Sequence, residues 1–308
     1  MPIGGQIANQ VKIENAQVAF STAFSKAFTL TEDPLVVLAS EQTGNTPTVD
    51  VKMFSLSRSM REWTDQRQLA EKRAENVQCT AHDFETSERA NVNDIMDDNL
   101  GAYSDMMGDM GSAAKLHYGE LTVDALNNGW SASSPFGLCY DGKPLFSATH
   151  QEGEGSAWDN TSTAVFSYDA LWTLWEAMAS QKDEFERPLR IRPNTLVVGP
   201  SLARTAMQAL GADLINDGAN VQVTNVTGNL KLNLLLSESL IGAYANYWYL
   251  ADLSRRAKPI GIYKRQTIQL GFSDIDVFKT KEMYVGADSR DYAYYGLPQL
   301  IYGSTGGG

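Results

Sequence analysis

The chain reads as an α+β protein, and three observations lead there. Between residues 168 and 210 a helical pattern, a four-residue apolar run and a second helical pattern follow one another. From 230 to 302 the ordered segments are instead short runs rich in β-branched, leucine and aromatic residues. Two further helical patterns, at 16–28 and 100–127, precede both regions, and no repeat of fixed period joins them.

Taken in order, 16–28 places Phe20, Phe24 and Phe28 at steps of four among small residues, which predicts an amphipathic helix that needs a surface to lie on. The apolar run 35–39 predicts a short strand, followed by the turn-forming EQTGNTP. Val49, Val51 and Met53 then alternate, after which the chain becomes too polar for a core. Residues 48–79 are therefore expected to leave the globule as a long hairpin or arm with few contacts to it, unstable alone because a two-stranded ribbon has no face to bury.

Residues 92–100 predict a short helix and 100–127 a longer one, along which Tyr103, Met110, Ala114, Leu121 and Leu126 recur at helical spacing until Asn127, Asn128 and Gly129 end it. Gly101, Gly108, Gly111 and Gly119 each cost ~1 kcal/mol relative to alanine inside a helix. Another backbone passing close by, or a bend, would account for them. Ser167 suits the N-cap of a helix over 168–185, TLVV at 195–198 predicts a buried strand, and Pro200 with Ser201 opens a helix reaching about 210. Strands are expected at 230–236, 247–251, 260–263, 267–270, 283–287 and 300–302, and the closing STGGG is flexible in composition.

Charge is the most informative pattern. Residues 51–76 carry six basic side chains (Lys52, Arg58, Arg61, Arg67, Lys72, Arg73) against four acidic ones. Residues 83–109 reverse the sign, with eight carboxylates, among them Asp94, Asp97, Asp98, Asp105 and Asp109, opposed only by Arg89; this stretch is expected to be helix-forming. Such blocks suit a subunit that touches copies of itself, since an opposite surface on a neighbour relieves the repulsion and steers approach. Two solvated helix faces would carry the same pattern. The candidate contacts are Arg58, Arg61, Trp63, Arg67, Lys72 and Arg73 on one side and the five aspartates on the other.

The 308 residues suffice for one large domain or two, and the formal charge of −12 argues against a protein whose main task is gripping nucleic acid, although an acidic wall can lie beside DNA without adhering to it. Cys79 and Cys139, 60 positions apart without a CxxC, are expected as free thiols in a reducing compartment. Neither a signal peptide nor a run of ~18 apolar residues is found, so a cytosolic origin is expected.

GLCYDGK at 137–143 fits the G-x-x-x-x-G-K core of a phosphate loop, but Pro144 stands where a magnesium-binding hydroxyl belongs and no apolar strand precedes it. Cys139, Asp141 and His150 sketch a nucleophile and base within a turn-rich stretch better explained as structure. His82, His117 and His150 lack metal-ligand spacing. No catalytic residue, metal or cofactor is expected.

MREWTDQR at 60–67, ENVQCTAHDFETSERANVNDIMDDNLGAY at 75–103 and CYDGKPLFSATH at 139–150 resemble the major head subunits of Mu-like phages and prophages. RPNTLVVGPSLA at 192–203 and YVGADSRDYAYYGLPQLIYGS at 284–304 are similar to that family's later blocks, in the same order. The resemblance implies the Hong Kong 97-type capsid fold: an N-terminal arm (1–47), an extended loop (48–79), a peripheral domain with a long spine helix (80–135), an axial domain (136–258), and return strands with the tail (259–308). It implies a virion protein, assembled in the host cytoplasm as hexamers and pentamers of an icosahedral shell that encloses DNA without binding it specifically. Scaffold, portal and decoration proteins are the implied partners, and no membrane is involved. A shell of the same fold around protein cargo is the alternative, distinguished by its contents. An enzyme built on Cys139 and His150 is a third reading, which requires a pocket bringing the two together.

Overall fold

A computed structural model describes residues 3–54, 74–97, 99–153, 155–183, 186–211, 214–216, 222–225, 227–274 and 277–307. Helix α1 (Ile3–Leu30) runs alongside α3 (Gly101–Asn128), and between them come β1 (Ala39–Thr43), β2 (Thr48–Phe54), β3 (Ala74–Thr80), β4 (His82–Asn91) and the short α2 (Val92–Met96). Two of the four α3 glycines accept a close neighbour. A Cβ on Gly111 would lie 2.5 Å from the Phe24 carbonyl oxygen, and one on Gly119 would collide with the Asp33 carboxylate. Gly108 and Gly101 are not crowded, so the expected close backbone explains Gly111 alone, and Gly119 makes room for a side chain instead.

Asp33 is placed by its own turn. Its Oδ1 accepts from Leu35 N–H at 3.2 Å, capping a 3₁₀ turn over Pro34–Leu38, and its Oδ2 accepts from Gly119 N–H at 2.8 Å. The strand expected over 35–39 is therefore this 3₁₀ turn, with β1 starting only at Ala39, because Pro34 at its first position and the Asp33 cap favour a tight turn. Phe20 and Phe24 are buried against Ile95, Met107 and Met110, which confirms the aromatic stripe.

Beyond α3 the chain forms β5 (Thr161–Ser162), α4 (Tyr168–Ala179), β6 (Thr195–Val198), α5 (Pro200–Gly211), β7 (Leu214–Asn216), β8 (Gln222–Thr224), β9 (Asn233–Leu236), β10 (Trp248–Ala251), β11 (Ile260–Ser273), α6 (Val277–Thr280), β12 (Glu282–Tyr295) and β13 (Ile301–Ser304). Ser167 caps α4 as expected, accepting from Ala170 N–H at 3.1 Å, but the helix ends at Ala179 rather than near 185.

One sheet has the order β1-β11-β12-β4, the other β5-β13-β10-β6-β9. In the second, β6 is buried on both faces: Leu196 and Val198 pack with Leu171, Leu174 and Met178 of α4, while Val197 joins Leu126, Tyr249 and Ile301 in the core between α3 and the two sheets. In the first, the strands expected separately at 260–263 and 267–270 are one, because register shifts between Lys264, Gln266 and Gln269 interrupt its alternation.

Candidate functional site

The hairpin is real and its root is anchored. β2 pairs antiparallel with β3 from Thr48↔Thr80 to Phe54↔Ala74. Val51, Val77, Cys79 and Ala81 are buried on Tyr263 and Tyr294 of the first sheet. The expectation of few contacts with the globule is corrected at this root, because the alternating apolar side chains do find a face, the tyrosines of β11 and β12. Arg58, Arg61, Trp63, Arg67, Lys72 and Arg73 lie outside the described residues.

The acidic side also needs correcting. Residues 82–91 form β4, paired along its length with β12, not a helix. Tertiary pairing overrides the local reading there, since the charged residues fall mainly on an exposed edge strand. Several charges are answered within the chain. Asp83 pairs with Arg290, and Arg89 reaches Glu282 at 3.2 Å. Asp94 accepts from the Tyr103 hydroxyl at 2.6 Å, and that bond raises the phenol's pKa. Asp97 is exposed at the C-terminus of α2, and Asp98 lies outside the described residues. Asp105 and Asp109 are exposed on α3 and continue into an exposed row with Glu120 and Asp124, two positions that the sequence reading did not single out. The i, i+4 spacing was the available signal.

The stretch 137–150 is a structural turn. Gly142 N–H donates to the Cys139 carbonyl at 2.9 Å, and Cys139 N–H to the Lys143 carbonyl at 2.8 Å. Gly137 and Gly142 have φ of +82° and +72°, where glycine is favoured. Leu145 and Phe146 are buried, and burial holds the Cys139 thiol well above its usual pKa, which opposes thiolate formation. His150 is buried with Nδ1 2.6 Å from Asp141 Oδ2 and Nε2 3.1 Å from the Leu145 carbonyl oxygen, so both ring nitrogens are engaged away from Cys139. Asn160, which no sequence signal marked, ties this loop to the C-terminal strands: Nδ2 donates to the carbonyls of Leu145, Pro298 and Ile301, and Oδ1 accepts from Ser147 N–H at 2.9 Å.

Among the described residues no group of His, Cys, Asp and Glu is arranged to hold a metal, and no helix is long and apolar enough to cross a membrane. What the described surface offers is the anchored root of the β2–β3 hairpin and an acidic face on α3.

The same architecture occurs in solved phage capsids. The protein of the bacteriophage JBD30 procapsid is 24% identical, with 95% of this chain and 74% of that one covered at a TM-score of 0.55, and the fold is the Hong Kong 97-like capsid fold. In sequence, 13–166, 157–240 and 235–306 match the family described as Mu-like prophage major head subunit gpT, and the chain belongs to that family. It is similar to the major capsid protein of Escherichia phage Mu (21% identical; 56% of this chain, 81% of that protein) and to the Mu-like prophage FluMu major head subunit of Haemophilus influenzae (25%; 48% and 71%). The protein is thus a phage-type major head subunit, a structural component of the capsid.

Proposed function

We propose that copies of this subunit assemble, in the host cytoplasm, into a closed icosahedral shell of hexamers and pentamers that encloses double-stranded DNA. The observation that carries this reading is the family match from 13 to 306 on a subunit of capsid fold. In this assembly 1–47 is the N-terminal arm, 48–79 the extended loop, 80–135 the peripheral domain with α3 as its spine, 136–258 the axial domain, and 259–308 the return strands and tail. The two sheets support that division, because the first gathers β1, β4 and the long β11–β12 pair while the second gathers the strands around α4 and α5.

Arg58, Arg61, Trp63, Arg67, Lys72 and Arg73 meet a neighbour's Asp97, Asp98, Asp105 and Asp109, with Asp94 already engaged by Tyr103. Scaffold and portal proteins start and close the shell, decoration proteins sit on its outside, and the subunit itself carries out no chemistry. The net charge of −12 suits a wall that holds DNA without adhering to it. Negative-stain microscopy of the expressed chain, with nuclease protection of the particle contents, tests the proposal. Closed shells holding protected DNA are expected from a producing host, whereas monomers alone, or shells filled with protein cargo and no DNA, would overturn it.

A further inference from the structure

On a chain whose formal charge is −12, one local surface is basic. Two segments build it, 187–192 leading into β6 and 252–256 leaving β10, and the antiparallel pairing of those strands, with Thr195 opposite Ala251, brings them side by side. Leu189 and Ile191 are buried, while Arg190 and Arg192 alternate with them on the exposed side. Arg255 clamps the two segments together. Its Nη2 donates to the Leu189 carbonyl at 2.8 Å and to the Arg190 carbonyl at 3.1 Å, and the buried Asp252 carboxylate accepts from Arg192 N–H at 3.0 Å. Arg256 follows directly and is exposed.

Three of these cations are left unanswered. Among the described residues of 182–194 and 252–258, Asp183 pairs with Arg187 at 2.8 Å, Glu186 with Lys182 at 2.9 Å, and Asp252 lies 3.6 Å from Arg255. Arg190, Arg192 and Arg256 have no ion pair among the described residues. The surface also lacks an apolar anchor, since no large hydrophobic side chain of 187–194 or 252–258 is exposed. A protein partner is gripped through an apolar centre inside a polar rim. Arginines without such a centre suit phosphates instead, which the guanidinium fork holds through paired hydrogen bonds.

We propose that Arg190, Arg192 and Arg256 form a sequence-independent contact for the phosphates of the DNA that the shell encloses. Charge complementarity selects the occupant. The acidic remainder of the surface repels the duplex, and the patch is the local point at which it is held. The inference rests on the reading of the shell as a container for DNA, and gives that container a place of contact which charge patterning in the sequence did not mark.

Fluorescence anisotropy of the full chain with a labelled DNA duplex of random sequence, over a series of salt concentrations, is the test. The wild type is expected to bind less tightly as salt rises. The Arg190→Ala/Arg192→Ala/Arg256→Ala variant is expected to bind on the order of tenfold more weakly, with a salt slope lower by about one for each arginine removed. Replacing the same three by Lys, which keeps the charge, should hold the affinity within about threefold of the wild type. Arg204→Ala, at an exposed arginine of α5 outside the patch, should match the wild type. Circular dichroism establishes that each variant folds, and Arg255 is left in place because it clamps the segments. Equal affinity of the wild type and the triple alanine variant, or no binding by either, overturns the patch alone if the shells hold DNA. If that variant also assembles more slowly, the arginines meet an acidic surface of a second copy instead. Wild-type shells that hold protein cargo and no DNA overturn the container reading and the patch with it.

Discussion

A methyl group added at Gly108 and one added at Gly119 should act in opposite directions. At Gly108 the nearest atom is an ordinary contact at 3.9 Å, so Gly108→Ala should gain up to ~1 kcal/mol through helix propensity. At Gly119 the methyl meets the carboxylate that receives the glycine's own N–H, and Gly119→Ala should lose roughly 1–3 kcal/mol. Urea midpoints at an unchanged slope would measure both. The cost of the four glycines is legible in the sequence. Which two are crowded is not, because Phe24 and Asp33 are remote along the chain. Asn160→Ala should cost roughly 2–4 kcal/mol, since it orphans the Ser147 N–H and buried carbonyls at once, while Lys143→Ala should stay within about 0.5 kcal/mol. Thermal melts of the two variants would separate a tie from a turn.

At the scale of elements, the long helices, β6 and the capped start of α4 could be read directly, because each has a strong period or a named cap. β4 could not. Its strand character comes from pairing with β12, almost two hundred residues later, while its own side chains carry the charges of a solvated surface. The division of β11 has the converse cause, a bulge that breaks alternation without breaking the strand. For the hairpin, alternation over 49–53 gave the direction of the chain but not the tyrosine face it lies on. Hydrogen exchange on the isolated subunit should therefore show protected amides at 48–54 and 74–80. Val77→Asp should abolish that protection, because it forces a charge into the contact with Tyr263 and Tyr294, yet leave α4 and α5 protected. Equal protection before and after the substitution would count against an anchored root.

The molecule as a whole responds to alkali through its buried tyrosines. Burial pushes Tyr294 and Tyr302 up to about 12, and the Cys79 thiol likewise; it raises Tyr118, Tyr140, Tyr249 and Tyr295 as well. A raised acid favours the protonated form in the folded state. The corresponding stability is present below pH ~10 and is lost as the pH rises through about 12. Tyrosinate absorbance should therefore appear together with loss of the near-ultraviolet circular dichroism, in one transition. Assembly should respond to salt instead. Reversing two of Arg58, Arg61, Arg67, Lys72 and Arg73 should slow it while leaving the monomer folded, because each exposed pair contributes only ~0.2–1 kcal/mol but recurs across every contact. Identical kinetics at low and high salt would remove the electrostatic account.

The rooted hairpin also has a mechanical meaning. An arm joined to its body by a loose linker swings freely, and a pull on its far end does no more than straighten the linker. Here β2 and β3 run as a paired ladder onto the sheet, and their buried side chains lock against β11 and β12. A load on the root of the hairpin is therefore carried through these packed side chains into the sheet that also seats α3. A pull reaching β2 and β3 thus finds its fulcrum at Tyr263 and Tyr294. Tension arriving there would reach the interior of the subunit before it could bend the attachment.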